Sequence, residues 1–125
     1  MQIGLADFAE PTLLILGTKE SLIAFANIME KRQPINLGTS EFITLVNIGL
    51  AITPTSNSGS LGKSGERFTW QISTEEVGHF AEQIRALADH PGGAHIYLDP
   101  HVNAAAVQIL ISKGEYGAGA VFAVK

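Results

Sequence analysis

The sequence predicts an α+β fold: a mainly antiparallel sheet of about five or six strands with two helices packed on one face, in the order β-α-β-β-α-β-β. Three observations carry this expectation. Two segments place apolar residues at helical spacing, several shorter ones are apolar at strand length, and one strand pattern alternates cleanly enough for a sheet solvated on one side. A chain of 125 residues, 46% hydrophobic and 16% charged, fits one domain spanning residues 1–125 with a core of its own.

Thr12 to Leu16 is a short apolar run after the break at Pro11, suited to a buried strand. Gly17-Thr18 then opens a helix, with Thr18 as N-cap, Glu20 in the first turn, and Lys31 and Arg32 in the last. Leu22, Phe25, Ala26 and Met29 share one face of it, and Gln33-Pro34 ends it. Glu41 to Ile52 is rich in Ile, Val, Thr and Leu and reads as one long central strand. Thr53 to Gly65 is almost wholly Thr, Pro, Ser, Asn and Gly, the composition of a flexible surface loop.

Glu66 to Ile72 alternates, with Phe68, Trp70 and Ile72 inward and Arg67, Thr69 and Gln71 outward. A second helix begins at Ser73 or Thr74, where Ser73 as N-cap and Glu76 at N3 would form a capping box. Val77, Phe80, Ala81, Ile84 and Ala88 make its apolar face, and Pro91-Gly92-Gly93 stops it. Ala94 to Leu98 and Ala105 to Ile111 are two further strands separated by Pro100. The apolar run Ala120 to Val124 is a candidate last edge strand. Leu22, Phe25 and Ala26 match Val77, Phe80 and Ala81 at a constant offset, as a duplication would produce, although any two amphipathic helices share such spacing.

Composition narrows the function. A net charge of -4, from 12 acidic against 8 basic residues, offers no basic stripe for a phosphate backbone, so nucleic acid is not an expected partner. It permits attraction to a basic protein partner, although composition alone favours the simpler reading that a mild negative charge aids solubility. With no cysteine, neither disulfides nor thiolate metal sites are available. No apolar run approaches the roughly 20 residues that span a bilayer, and the start at Met1-Gln2-Ile3-Gly4 lacks a basic, apolar leader. A cytoplasmic protein without membrane attachment is expected.

Gly62-Lys63-Ser64 resembles the end of a phosphate-binding loop, but Asn57 stands where that loop needs glycine, and a strand pattern follows instead of a helix. The sharper feature is His95-Ile96-Tyr97-Leu98-Asp99-Pro100-His101. On a strand, His95, Tyr97 and Asp99 project to one face, and His101 joins them if the chain stays extended past Pro100. Two imidazoles and a carboxylate suit zinc or non-haem iron, which makes a small metal-binding protein using His95, Asp99 and His101 the alternative reading. No further carboxylate or histidine lies at ligand spacing, so no metal or cofactor is expected. His79 and His90 have structural readings on the second helix, and no hydroxyl sits in a nucleophile motif, so no enzymatic activity is expected. Asp99 and Glu115 are the acids that no helix end explains. Glu115 and Tyr116 extend the His95, Tyr97 and Asp99 face into a partner-binding patch if their strands pair antiparallel.

The stretch from Ser73 to Tyr116 resembles small bacterial immunity proteins of polymorphic and contact-dependent toxin systems, nearest to the group called immunity protein 32. The similarity lies in a cap, a helix of the form Val77-Gly-His-Phe-Ala-Glu-Gln-Ile-Arg-Ala-Leu-Ala, a Pro/Gly break, a strand like His95-Ile-Tyr-Leu-Asp99, and an apolar strand such as Val107-Gln-Ile-Leu-Ile. It covers about a third of the chain, and the segment Thr53 to Gly65 has no counterpart in it. The resemblance implies an α+β protein without catalysis or cofactor that binds and neutralises a cognate toxin domain, typically a nuclease with a basic groove. A third expectation is a homo-oligomeric interaction domain whose apolar C-terminal strand pairs with its own copy.

Overall fold

The computed structural model describes residues 1–8, 10–37, 41–115 and 122, which form two helices and ten strands in two five-stranded sheets. The chain opens with an antiparallel hairpin of β1 (Gln2–Asp7) and β2 (Pro11–Gly17), followed by α1 (Lys19–Glu30). Thr18 caps α1 from extended backbone: its Oγ1 accepts from the Ser21 N–H, while Ser21 Oγ accepts from the Thr18 N–H at 2.8 Å. Three strands follow, β3 (Ile35–Asn36), β4 (Thr44–Leu45) and β5 (Gly49–Thr55). The second half repeats the series: a hairpin of β6 (Ser60–Ser64) and β7 (Arg67–Ser73), then α2 (Val77–Asp89), β8 (Ala94–Leu98), β9 (Val102–Asn103) and β10 (Gln108–Lys113).

The repetition extends to the pairing. The first sheet has the order β4-β1-β2-β10-β8, and the second, read from its far edge, β9-β6-β7-β5-β3. Gln2 lies opposite Leu16 and Thr44, just as Ser60 lies opposite Gln71 and Val102. Gln108 lies opposite Thr12, as Gly49 lies opposite Arg67. Each half therefore sends the strands after its helix into the other half's sheet: β3 and β5 join the hairpin β6–β7, and β8 and β10 join the hairpin β1–β2. The edge pairs are antiparallel in both sheets, with Ile35 opposite Ile52 in one and Ile96 opposite Ile111 in the other. The likeness of the two helices thus extends to the order and pairing of the described strands, with strands exchanged between the halves.

One principal core draws on both halves. Ile3, Leu13, Ile15, Ile109 and Ile111 from the first sheet and Leu50, Ile52, Leu61, Phe68, Trp70 and Ile72 from the second pack with Leu22, Phe25, Ala26 and Met29 of α1 and Val77, Phe80, Ala81 and Ile84 of α2. Trp70 and Phe80 meet with ring centroids 6.1 Å apart. On the surface of the helix pair, Arg85 donates to Asn27 Oδ1 at 2.7 Å and pairs with Glu30.

The two outer faces are unlike. Behind the first sheet, Ala6, Leu14 and Leu110 form a second apolar cluster with Phe122, against which Phe8 and Leu16 pack. Phe122 bridges to Ala6, and its ring lies where a side chain on Gly4 would have to go, 2.7 Å from that Cβ position. Behind the second sheet the matching positions carry Thr69 for Leu14, Gln71 for Leu16 and Ala51 for Leu110. Thr69 and Gln71 are exposed, and Gly62, which matches Gly4, has nothing within 4 Å of its Cβ position.

Several expectations are corrected. The sheets are two and mixed, not one mainly antiparallel sheet of five or six strands, and the order begins β-β-α, because Gln2–Asp7 pairs antiparallel with β2 as a strand of its own. Glu41 to Ile52 is not one strand: β4 edges the first sheet, β5 lies inside the second, and residues 46–48 carry the chain between them. Propensity marks both pieces as strand but does not say which sheet each joins. Thr53 to Gly65 is mostly strand, since Thr53–Thr55 complete β5 and Ser60–Ser64 form β6, where backbone pairing overrides loop-like composition. Gly65, at φ 61°, makes the tight β6–β7 turn. The capping box at Ser73 does not form, because Ser73 is the last residue of β7 and the helix starts beyond a turn. Ser73 Oγ instead accepts from the Glu75 N–H at 3.2 Å. Of Ala120 to Val124, all but Phe122 lie outside the described residues, and Phe122 pairs with β1 of its own chain.

Candidate functional site

The site begins with the period of β8. His95 lies opposite Ser112 and Tyr97 opposite Leu110, so both project from the outer face of the first sheet, while Ile96 and Leu98 turn toward the core. β8 is the last strand of that sheet, and Tyr97 stays 48% exposed, one of three large apolar side chains left open among the described residues. The His95 and Tyr97 rings meet edge to face with centroids 5.7 Å apart.

Glu115 reaches this face through a turn. Gly114 adopts φ 71°, a conformation that favours glycine, and folds the chain back over the end of β10. Ser112 Oγ then donates to Glu115 Oε1 at 2.7 Å, and the His95 Nδ1–H faces both carboxylate oxygens at 3.0 and 3.1 Å. The approach is close enough that a Cβ on Gly93 would stand 3.2 Å from the Gly114 carbonyl oxygen and 3.3 Å from Glu115 Cγ. The Ser112 hydroxyl is the main cause that holds the Glu115 carboxyl below its ordinary value. Burial opposes the shift, and the His95 hydrogen bond and charge add to it. Glu115 is therefore a fixed anion beside an exposed tyrosine.

The structure gathers His95, Tyr97 and Glu115, and leaves Asp99 exposed one residue beyond the end of β8. It separates His101, contrary to the expectation of one continuous face. After Pro100 the chain leaves the first sheet, and β9 pairs with β6 of the second. His101 there lines a polar depression of about 500 Å³ with Ser56, Asn57, Ser58, Ser73, Glu75 and Glu76. Tyr116 lies outside the described residues. Among the described residues no group of three or more His, Asp or Glu side chains is placed to hold a metal ion, and no helix is long and apolar enough to cross a membrane.

Sequence reasoning missed Ser112, although a serine alternating with Leu110 on an apolar strand is a readable signal. Ser112 is 1% exposed and donates its hydrogen bond to the carboxylate, so the trio lacks the hydroxyl–imidazole hydrogen bond of an activated nucleophile. What the arrangement can do is present a held negative charge beside an aromatic plate on one open surface, with the exposed Asp99 just beyond the end of β8. No protein family model, no curated protein and no solved structure matches the chain.

Proposed function

We propose that the chain is a non-catalytic immunity protein of the cytoplasm that binds a basic toxin domain, a nuclease in the simplest case, through the outer face of the first sheet around β8. The observation that supports this most is the convergence of Glu115 on His95 and Tyr97 from twenty residues away, which builds an acidic and aromatic surface at an open sheet edge. Tyrosine suits such a role because it buries much area at small entropic loss and keeps a polar tip. The acids steer a basic partner and fix its orientation. The overall charge of -4 acts in the same direction. The metal-binding alternative loses support from the position of His101 on the second sheet, away from His95.

The test is association with the toxin domain encoded next to this gene. Replacing Asp99 and Glu115 together by Lys should slow association by about tenfold or more and weaken its salt dependence, since like charges then face each other. Unchanged kinetics in a folded double variant, or no toxin domain that the protein binds, would contradict the proposal.

A further inference from the structure

Among the described residues β8 closes the first sheet, and no strand lies beyond it. Five residues long, it has on its outer side a row of backbone N–H and C=O groups with no strand partner among the described residues, a template for another strand. The matching strand of the second sheet, β3, is only two residues long. The run His95-Ile96-Tyr97-Leu98-Asp99 also has a property that its place in the fold makes consequential. Turned antiparallel against itself about Tyr97, it sets His95 against Asp99, Ile96 against Leu98, and Tyr97 against its own copy.

We propose that β8 pairs with β8 of a second copy of this chain in that register, joining two first sheets into one continuous sheet across a twofold axis. Charge, polarity and face all agree with it. His95, Tyr97 and Asp99 are exposed, whereas Ile96 is half-buried and Leu98 buried on the core side, so like faces meet like. Each imidazole is already held at Nδ1 by Glu115 of its own chain. In its protonated form it donates from Nε2 as well, toward Asp99 of the second copy. Pairing about Ile96 instead would set Asp99 against Gly93 and leave the acid without a partner. Pro100, which has no N–H, ends the ladder after Asp99. Edge pairing occupies backbone groups and leaves the outer face displayed, so the dimer shows the acidic and aromatic surface twice. The inference is independent of the toxin-binding reading, because it concerns the protein alone.

The absence of cysteine makes the register testable. Tyr97→Cys would place one thiol per chain directly opposite its twin, with Cα atoms about 4.5–5.5 Å apart, inside the range a disulfide bridges. Under mild oxidation this variant should form a covalent dimer at least about tenfold faster than Thr69→Cys, an exposed position on the second sheet's outer face, as expected when one site is paired and the other meets only by collision. Adding Asp99→Lys, or Asp99→Asn should the lysine variant fail to fold by circular dichroism, should slow cross-linking at position 97, by roughly tenfold for lysine. The unmodified protein should sediment as a dimer that dissociates on dilution. Equal cross-linking at positions 97 and 69, no effect of the Asp99 substitutions, or a monomeric mass at every concentration would overturn the proposal, and none of these results bears on toxin binding.

Discussion

The two outer faces are built on the same strand pattern and carry different side chains. In the first sheet, Leu14, Leu16 and Leu110 accept the ring of Phe122 and make a small second core. In the second, Thr69, Gln71 and Ala51 stand at the same places with no such cover among the described residues. The shared inner core is apolar in both halves, since both contribute to it and a change in one would be felt by the other. The outer faces, free of that constraint, differ. Among the described residues only the first has an apolar floor, and at its rim, where Leu110 gives way to Tyr97, lie His95, Tyr97 and Glu115.

The largest expected effect that would break this comparison is on stability. Leu14→Ala should destabilise the protein by about 2–5 kcal/mol, since it opens a cavity beneath Phe122. Thr69→Ala, at the matching position, should change stability by no more than about 0.5 kcal/mol. Urea denaturation of both variants decides the matter, and equal losses would show that the second face is covered too. A smaller effect separates the matching glycines. Gly4→Ala forces a methyl to within 2.7 Å of the Phe122 ring and 2.8 Å of Asn47 Oδ1, which should destabilise by about 1–3 kcal/mol. Gly62→Ala meets open space and should be neutral or stabilising by up to about 1 kcal/mol, through the reduced freedom of the unfolded chain. Thermal melting that ranks the two the other way would contradict the assignment of the covered face.

The smallest effect is in pH dependence. The Glu115 carboxyl is depressed below its ordinary value of 4.5, so its contribution is fully present above that value and is lost as pH falls through the lower, folded one. Glu115→Gln should therefore lower stability slightly near neutrality and make the acid limb of the stability profile shallower. An unchanged acid limb would mean that the Ser112 and His95 contacts contribute nothing.

Much of the fold was legible where local chemistry decides it. The alternation of Phe68, Trp70 and Ile72 with Arg67, Thr69 and Gln71 marked β7 and its solvated face, and the stripes of α1 and α2 follow helical spacing. Strand pairing was not legible, because a residue such as Leu50 carries no mark of whether its neighbour lies in the first hairpin or the second. For the same reason the exchange of strands between halves could not be read from Leu22, Phe25 and Ala26 and their counterparts alone. In the site, the period of two placed His95 and Tyr97 together correctly, since that rests on strand geometry. Glu115 joined them through the positive φ of Gly114 and the buried hydroxyl of Ser112, and His101 was carried off by the turn after Pro100 into another sheet. Tertiary routing, not side-chain chemistry, decided both outcomes.

The most direct test of the functional proposal compares the two faces in one binding experiment. Association of the toxin domain should be measured by stopped flow over a range of salt, with the unmodified protein, the Asp99→Lys/Glu115→Lys variant of the first face, and an Arg67→Glu/Gln71→Lys variant of the second. The first-face variant should associate about tenfold or more slowly with a shallower salt dependence, whereas the second-face variant should stay within about twofold of the unmodified protein. A second-face variant that loses binding while the first-face variant keeps it would contradict the account and assign the partner to the polar face of the second sheet.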